Sequence, residues 1–107
     1  WGSGKVYREM IFVDDIADAC VFFMKKKIKH SLINIGSGKD MTILNYVKFI
    51  LKKLNLNIKI NFIKSKPDGV YKKLLDIKRA KKYGWTAKTS LNKGFDITYK
   101  SFLRKNK

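Results

Sequence analysis

The side chains able to do chemistry in this sequence are few, and most of them fall short of a known catalytic spacing. Gly2-Ser3-Gly4-Lys5 and Gly36-Ser37-Gly38-Lys39 have the composition of a phosphate-cradling loop. A P-loop ending at Gly38 needs glycine at position 33, where Ile33 stands. It also needs Ser or Thr after its lysine, where Val6 and Asp40 stand. A dinucleotide fingerprint starts correctly with Gly36 and Gly38, but its third glycine falls on Met41. Neither stretch is a phosphate loop, and Gly36-Ser37-Gly38 reads as a plain strand-to-helix turn, which glycine favours without any ligand. Cys20 falls on the apolar stripe of a predicted helix and is expected as a buried structural thiol. His30 is expected in an exposed connector, and Asp14-Asp15 as helix-start carboxylates that cap, the alternative being a catalytic pair.

Two features point more clearly to a ligand. Arg8 is one of only three arginines against 22 lysines, and it starts an apolar segment. A strand-edge cation paired with Glu9 explains it, and so does a bidentate clamp on a diphosphate, a role in which lysine is a poor substitute. Lys66-Pro67-Asp68-Gly69, followed by Lys72-Lys73, places cations and one carboxylate on a rigid turn, which is either a surface turn or an anion-facing one.

The elements that must position these residues alternate. Arg8–Val13 is expected as a short, largely buried strand, followed by a helix from Asp14-Asp15 to about Lys27. That helix would bury Val13, Ala17, Cys20, Val21, Met24 and Ile28. Leu32-Ile33-Asn34-Ile35 is a second apolar strand, stopped by Gly36-Ser37-Gly38. Thr42 caps the next helix, with Met41 and Tyr46 as a hydrophobic staple and Ile43, Val47, Ile50 and Leu54 as its stripe. Ile58, Ile60 and Phe62 alternate as a half-exposed strand. Asp76 caps a short helix ending at Gly84, and Ser90 a last one carrying Leu91, Phe95, Tyr99, Phe102 and Leu103. The order is α/β. Three short parallel strands make a poor free-standing sheet, which points to a missing partner region.

With 107 residues, 45% of them hydrophobic and 13% aromatic, the chain is one domain or a piece of one and not a disordered tail. Trp1 in place of a starting Met suggests a piece of something longer. No apolar run approaches the roughly 18 residues of a membrane span, and no signal-peptide pattern argues for export. One cysteine allows no internal disulfide. The net charge of +17 suits a binder of nucleic acid or another polyanion. The scarcity of arginine and the company of many Ile and Asn fit A/T-rich codons instead, so both origins of the charge stay open.

The chain also resembles a known family along nearly its whole length. The residues are Trp1-Gly2-Ser3-Gly4, Arg8-Glu9, Val13-Asp14-Asp15-Ile16-Ala17-Asp18-Ala19, Ile33-Asn34-Ile35-Gly36-Ser37-Gly38 and Thr42-Ile43. Ser65-Lys66-Pro67-Asp68-Gly69, Lys73-Leu74-Leu75-Asp76, Gly84-Trp85, Ser90-Leu91, Gly94, Thr98-Tyr99 and Phe102-Leu103 follow in order. Together they resemble the C-terminal part of the GDP-L-fucose synthase family, within the extended short-chain dehydrogenase/reductases. The resemblance implies an α/β fold in which residues 1–107 form the C-terminal substrate-binding portion, with the N-terminal Rossmann part missing. It implies NADPH-dependent epimerisation at carbons 3 and 5 of GDP-4-keto-6-deoxy-D-mannose, then hydride delivery to the 4-keto group to give GDP-L-fucose. The family's catalytic set and NADP(H) site lie upstream, so no catalytic or cofactor-binding residue is expected here and the isolated chain is expected to be inactive. By the same resemblance Trp1, Arg8, Lys66, Asp68 and Lys73 bind the GDP-sugar, with Tyr71-Lys72 standing where the family usually has a proline and an arginine. The implied partners are the GDP-sugar, the protein's own Rossmann region and a second subunit of a cytoplasmic homodimer, with no specific nucleic acid and no membrane. Another nucleotide-sugar epimerase or dehydratase, or a small basic nucleic-acid-binding domain, remains as an alternative.

Overall fold

A computed structural model describes residues 1–105. The elements run strand, helix, strand, helix, strand, helix, helix, the order expected from the sequence, but two of the strands lie elsewhere. The chain divides into two units, each built from two separate segments.

The first unit comprises Trp1–Glu9 and Lys39–Leu74. Its sheet holds β1 (Tyr7–Glu9), β2 (Asp40–Thr42) and β3 (Lys72–Lys73) in the order β2-β1-β3. β1 and β2 are antiparallel with Arg8 opposite Met41, and β1 and β3 are parallel with Arg8 opposite Lys73. The sheet is thus mixed, which corrects the expectation of parallel strands only. The strand expected over Arg8–Val13 is the shorter, half-buried β1, and Ile58–Phe62 forms no strand.

α2 (Ile43–Lys53) begins where Thr42 predicts. The Asn45 amide donates to Thr42 Oγ1 at 3.1 Å, satisfying one of the orphan donors of the first turn. Tyr46 is the side chain this helix buries, and its hydroxyl donates to the Arg8 carbonyl at 3.0 Å, fixing the helix to β1. Val6 completes the small buried set of this unit.

The second unit comprises Met10–Gly38 and the chain from Leu75 onward. It carries α1 (Val13–Met24), α3 (Lys78–Lys82) and α4 (Leu91–Lys105). Its core is Ala19, Ala80 and Trp85, with Ile11, Phe22, Phe23, Ile33, Ile35 and Ala87 packed around them. Leu32–Ile35, expected as a strand, is extended chain without a ladder.

α1 departs from the sequence reading in three ways. It starts at Val13 and ends at Met24, and Phe12 holds the N-cap position with no side-chain cap, so Asp14 and Asp15 are first-turn residues and not caps. Asp15 is only 6% exposed and accepts from the Thr89 amide at 2.9 Å and the Thr89 hydroxyl at 3.0 Å. The buried face runs through Asp15, Ala19, Phe22 and Phe23, whereas Val13, Ala17, Cys20, Val21 and Met24 are exposed. Cys20 is therefore a surface thiol, not a buried one. Apolar residues surround much of this helix, so its periodicity does not single out one face.

The other two helices follow their caps. The Lys78 amide donates to Asp76 Oδ1 at 2.9 Å, one residue outside the assigned N-cap, and Gly84 ends the turn with φ +93°. The Lys93 amide donates to Ser90 Oγ at 3.3 Å at the start of α4. Gly94 is buried, and a Cβ there would stand 3.2 Å from the Phe12 ring.

Candidate functional site

All five residues expected to bind ligand lie in the first unit, around the segment from Ile63 to Lys73. The chain start is held against this segment by the Gly2 amide, which donates to the Ile63 carbonyl at 3.0 Å. Ser3 then donates to both oxygens of Asp68, from its amide at 2.6 Å and its hydroxyl at 2.8 Å. Gly2 has φ +68°, and a Cβ there would collide with the Asp68 carboxylate, so this close approach requires glycine. The two Ser3 hydrogen bonds hold the Asp68 carboxyl below the usual carboxylate range, and the charge of Lys5 adds to the effect.

Trp1 is 81% exposed, and Lys66 Nζ lies over its ring at 5.1 Å from the centroid. The pair offers a flat apolar surface with a cation beside it. Arg8 approaches the same segment from the sheet. Its Nη1 donates to the Tyr7 carbonyl at 2.6 Å and to the Val70 carbonyl at 2.8 Å, and its Nη2 lies beside Gly69. The guanidinium thus splints the turn while keeping donors at Nη2 and Nε. Lys73 is exposed and sits opposite Arg8 in the parallel ladder. Its neighbour Lys72 is already engaged, with Nζ 3.3 Å from Asp40 and over the Tyr7 ring at 5.4 Å.

This arrangement brings one aromatic face, two cations and one carboxylate to a single turn, with Lys73 on the adjoining strand. Phosphate charge suits the cations, and a hydroxyl-rich ligand suits the carboxylate, which keeps acceptor capacity after its two bonds from Ser3. Ser3 was not singled out as a site residue. Its signal was present in the Trp1-Gly2-Ser3-Gly4 motif, but its partner lies 65 residues away and spacing alone does not reveal it.

The remaining candidates do not join this turn. His30 is exposed, as expected, with Nδ1 at 2.8 Å from the Tyr83 hydroxyl. Gly38 has φ +71°, and a Cβ there would collide with Ile77, so packing explains this glycine without a bound nucleotide. A separate cavity of ≈ 280 Å³ in the second unit is lined by Leu32, Asn34, Asp76, Lys78 and Arg79. Its polar heads are partly engaged, with Arg79 Nη1 donating to the Leu32 carbonyl and Asn34 Nδ2 to the Asp76 carbonyl. Among the described residues no helix is long and apolar enough to cross a membrane.

Comparison with known proteins gives this geometry a context. Residues 1–36 match the NAD dependent epimerase/dehydratase family. GDP-L-fucose synthase 1 of Arabidopsis thaliana is 38% identical over 104 residues, which is 97% of this chain and 32% of that protein. The UDP-glucose 4-epimerase of Thermotoga maritima, solved with UDP-glucose, superposes with a TM-score of 0.90 at 27% identity, covering 100% of this chain and 35% of that one. A GDP-mannoheptose C4 reductase from Campylobacter jejuni, solved with NADP bound, gives a TM-score of 0.80 at 28% identity, covering 95% of this chain and 33% of that one. The chain thus spans about a third of the length of the proteins it matches.

Proposed function

We propose, from the premise that this chain is the counterpart of the C-terminal part of GDP-L-fucose synthases among the extended short-chain dehydrogenase/reductases, that it is the GDP-sugar-binding portion of such an enzyme. The complete protein would convert GDP-4-keto-6-deoxy-D-mannose to GDP-L-fucose by 3,5-epimerisation and 4-keto reduction. NADP(H), held by the Rossmann portion, supplies the hydride. The complete enzyme is read as a cytoplasmic homodimer.

The observation that carries this reading is the convergence of Trp1, Arg8, Lys66 and Asp68 on one turn, with Lys73 opposite Arg8 on the adjoining strand. Arg8 suits the diphosphate through its free Nη2 and Nε donors, and Lys66 and Lys73 offset the remaining phosphate charge. The Trp1 ring presents an apolar face to the sugar nucleotide. Asp68, pinned by Ser3, is oriented to accept from ribose hydroxyls or from a guanine edge. The chain binds and orients, while proton and hydride transfers belong to residues outside it.

The close superposition on a UDP-glucose 4-epimerase favours one second reading, a nucleotide-sugar epimerase or dehydratase using another base. Competition binding to the complete protein separates the two. GDP-sugars displacing a bound GDP probe while UDP- and dTDP-sugars do not supports the first reading, and preference for UDP or dTDP overturns it.

A further inference from the structure

Two short basic runs, far apart in sequence, meet on the surface of the second unit. Lys25, Lys26, Lys27 and Lys29 follow the end of α1, and Lys78, Arg79, Lys81 and Lys82 make up most of α3. All eight are exposed. Tyr83 joins the runs. Its hydroxyl lies 3.0 Å from the Lys29 amide and 2.8 Å from His30 Nδ1, and its ring meets Phe23 edge-on. Arg79 adds a bond from Nη1 to the Leu32 carbonyl at 3.1 Å. A codon bias toward lysine raises its frequency everywhere, yet eight of the chain's 25 cations fall in the ten positions 25–29 and 78–82.

Local neutralisation does not account for so many. Cations at a helix C-terminus offset a partial charge of about −0.5, and α1 and α3 both end here. Among the described residues Asp76 is the carboxylate paired with these cations, 3.8 Å from Lys78 Nζ. Together these leave about +6 on the patch, a self-repulsion that an outside anion relieves. The side chains of Lys25, Lys27, Lys81 and Lys82 have no bond, ion pair or ring contact among the described residues, so their heads are open to a partner. Seven of the eight are lysines on flexible stems, which suit a diffuse layer of charge better than one phosphate gripped by a planar fork. Within the patch no ring stands free to stack a base, since Tyr83 meets His30 and Phe23, and Phe22 lies under Lys26 at 5.0 Å. Ile28, 36% exposed in the middle of the first run, offers an apolar side chain to a headgroup layer.

We propose that this patch holds the protein peripherally on an anionic lipid surface, with the lysine heads among the headgroups and Ile28 between them. Each lysine near such a surface strengthens attachment about fivefold. Attachment of this kind needs no membrane-crossing helix, and it departs from the absence of a membrane partner expected by resemblance. It is independent of the GDP-sugar turn, whose residues belong to the other unit.

The test is sedimentation of the complete protein with vesicles at about 0.15 M salt, where generic attraction between distant charges is screened. The protein should sediment with vesicles of equal parts phosphatidylglycerol and phosphatidylcholine, and not with phosphatidylcholine alone. Lys25→Gln, Lys27→Gln, Lys81→Gln and Lys82→Gln together should lower the partition coefficient by on the order of a hundredfold. Lys48→Gln, Lys52→Gln, Lys93→Gln and Lys100→Gln together remove the same charge elsewhere and should lower it by less than about fivefold. Equal losses in the two variants would make net charge the cause and overturn the patch, as would failure to sediment at this salt. An RNA duplex that displaces the protein from the vesicles, and whose own binding only the first variant weakens, would overturn the lipid surface in favour of nucleic acid. In the unmodified protein, vesicles should shield Lys25, Lys27, Lys81 and Lys82 from an amine-reactive reagent, a reading that no misfolded variant can disturb. Full reactivity of these four on the vesicle would overturn the proposal.

Discussion

Ser3 donates to both oxygens of Asp68 and so closes 65 residues of chain with a single side chain. The carboxylate expected to meet the ligand is thereby also the one that anchors the start of the chain. Binding and local folding meet at this pair, and substitutions there act on both.

The Asp68 carboxyl is held below its ordinary value, chiefly by the Ser3 amide and then by the Ser3 hydroxyl. A folded-state value below the unfolded value of about 3.9 keeps the tether intact above that pH and loses it as pH falls through the folded value. The Ser3 amide chemical shift should titrate with a midpoint below about 3.9. Ser3→Ala removes the hydroxyl bond and keeps the amide one, so it should raise that midpoint part of the way, and an unchanged midpoint would show that the Ser3 hydroxyl does not contribute.

Arg8→Lys keeps the charge but loses the fork that contacts both the turn and the proposed diphosphate. Affinity of the complete protein for GDP and for GDP-sugar should fall about tenfold or more, equally for both, consistent with a lost charge-assisted pair. Loss of GDP-sugar affinity alone would move Arg8 away from the diphosphate.

Asp15 is buried and its two acceptor oxygens serve Thr89. Asp15→Ala leaves two donors unsatisfied and should destabilise the chain by about 1–3 kcal/mol in urea unfolding. An effect below about 0.5 kcal/mol, the size of an ordinary surface change, would contradict this tether.

Gly94→Leu drives a side chain into Phe12, whose ring already stands 3.2 Å from the position of a Cβ. The expected cost is about 1–3 kcal/mol of overpacking, read by the same unfolding experiment. Phe12→Ala in the same chain should relieve part of it, a coupling that a merely poor helix former would not show.

The isolated 107 residues should oxidise no NADPH with GDP-4-keto-6-deoxy-D-mannose, measured at 340 nm in a spectrophotometer. Turnover by this chain alone would place catalytic groups within it and overturn the division of labour proposed here.

Local chemistry made some elements readable from the sequence. Thr42, Asp76 and Ser90 each accept an amide where a helix begins, and such bonds depend only on neighbouring residues. β2 and β3 were not readable, because Asp40-Met41-Thr42 and Lys72-Lys73 have no alternating pattern and exist through pairing with distant β1. The opposite error arose at Leu32–Ile35, where a strand-like sequence finds no strand to pair with. The face of α1 was misjudged because its apolar residues surround much of the helix, so their spacing does not single out the side that packs on Ala80 and Trp85. At the site, residue types and the turn were legible from motif resemblance. The Ser3 tether and the Arg8 bond to Val70 were not, since both span more than 60 residues.

The interleaving of the two units has a consequence for how the chain is made. β1 leaves the ribosome well before its parallel partner β3, which follows 65 residues later, with Arg8 waiting for Lys73. Until then one edge of β1 is open, and Arg8 lacks the Val70 carbonyl that fixes its guanidinium. Synthesis that stalls before Lys72 thus releases a chain with an exposed strand edge and no finished turn. For this architecture the vulnerable interval in biogenesis is set by the position of two consecutive lysines late in the sequence.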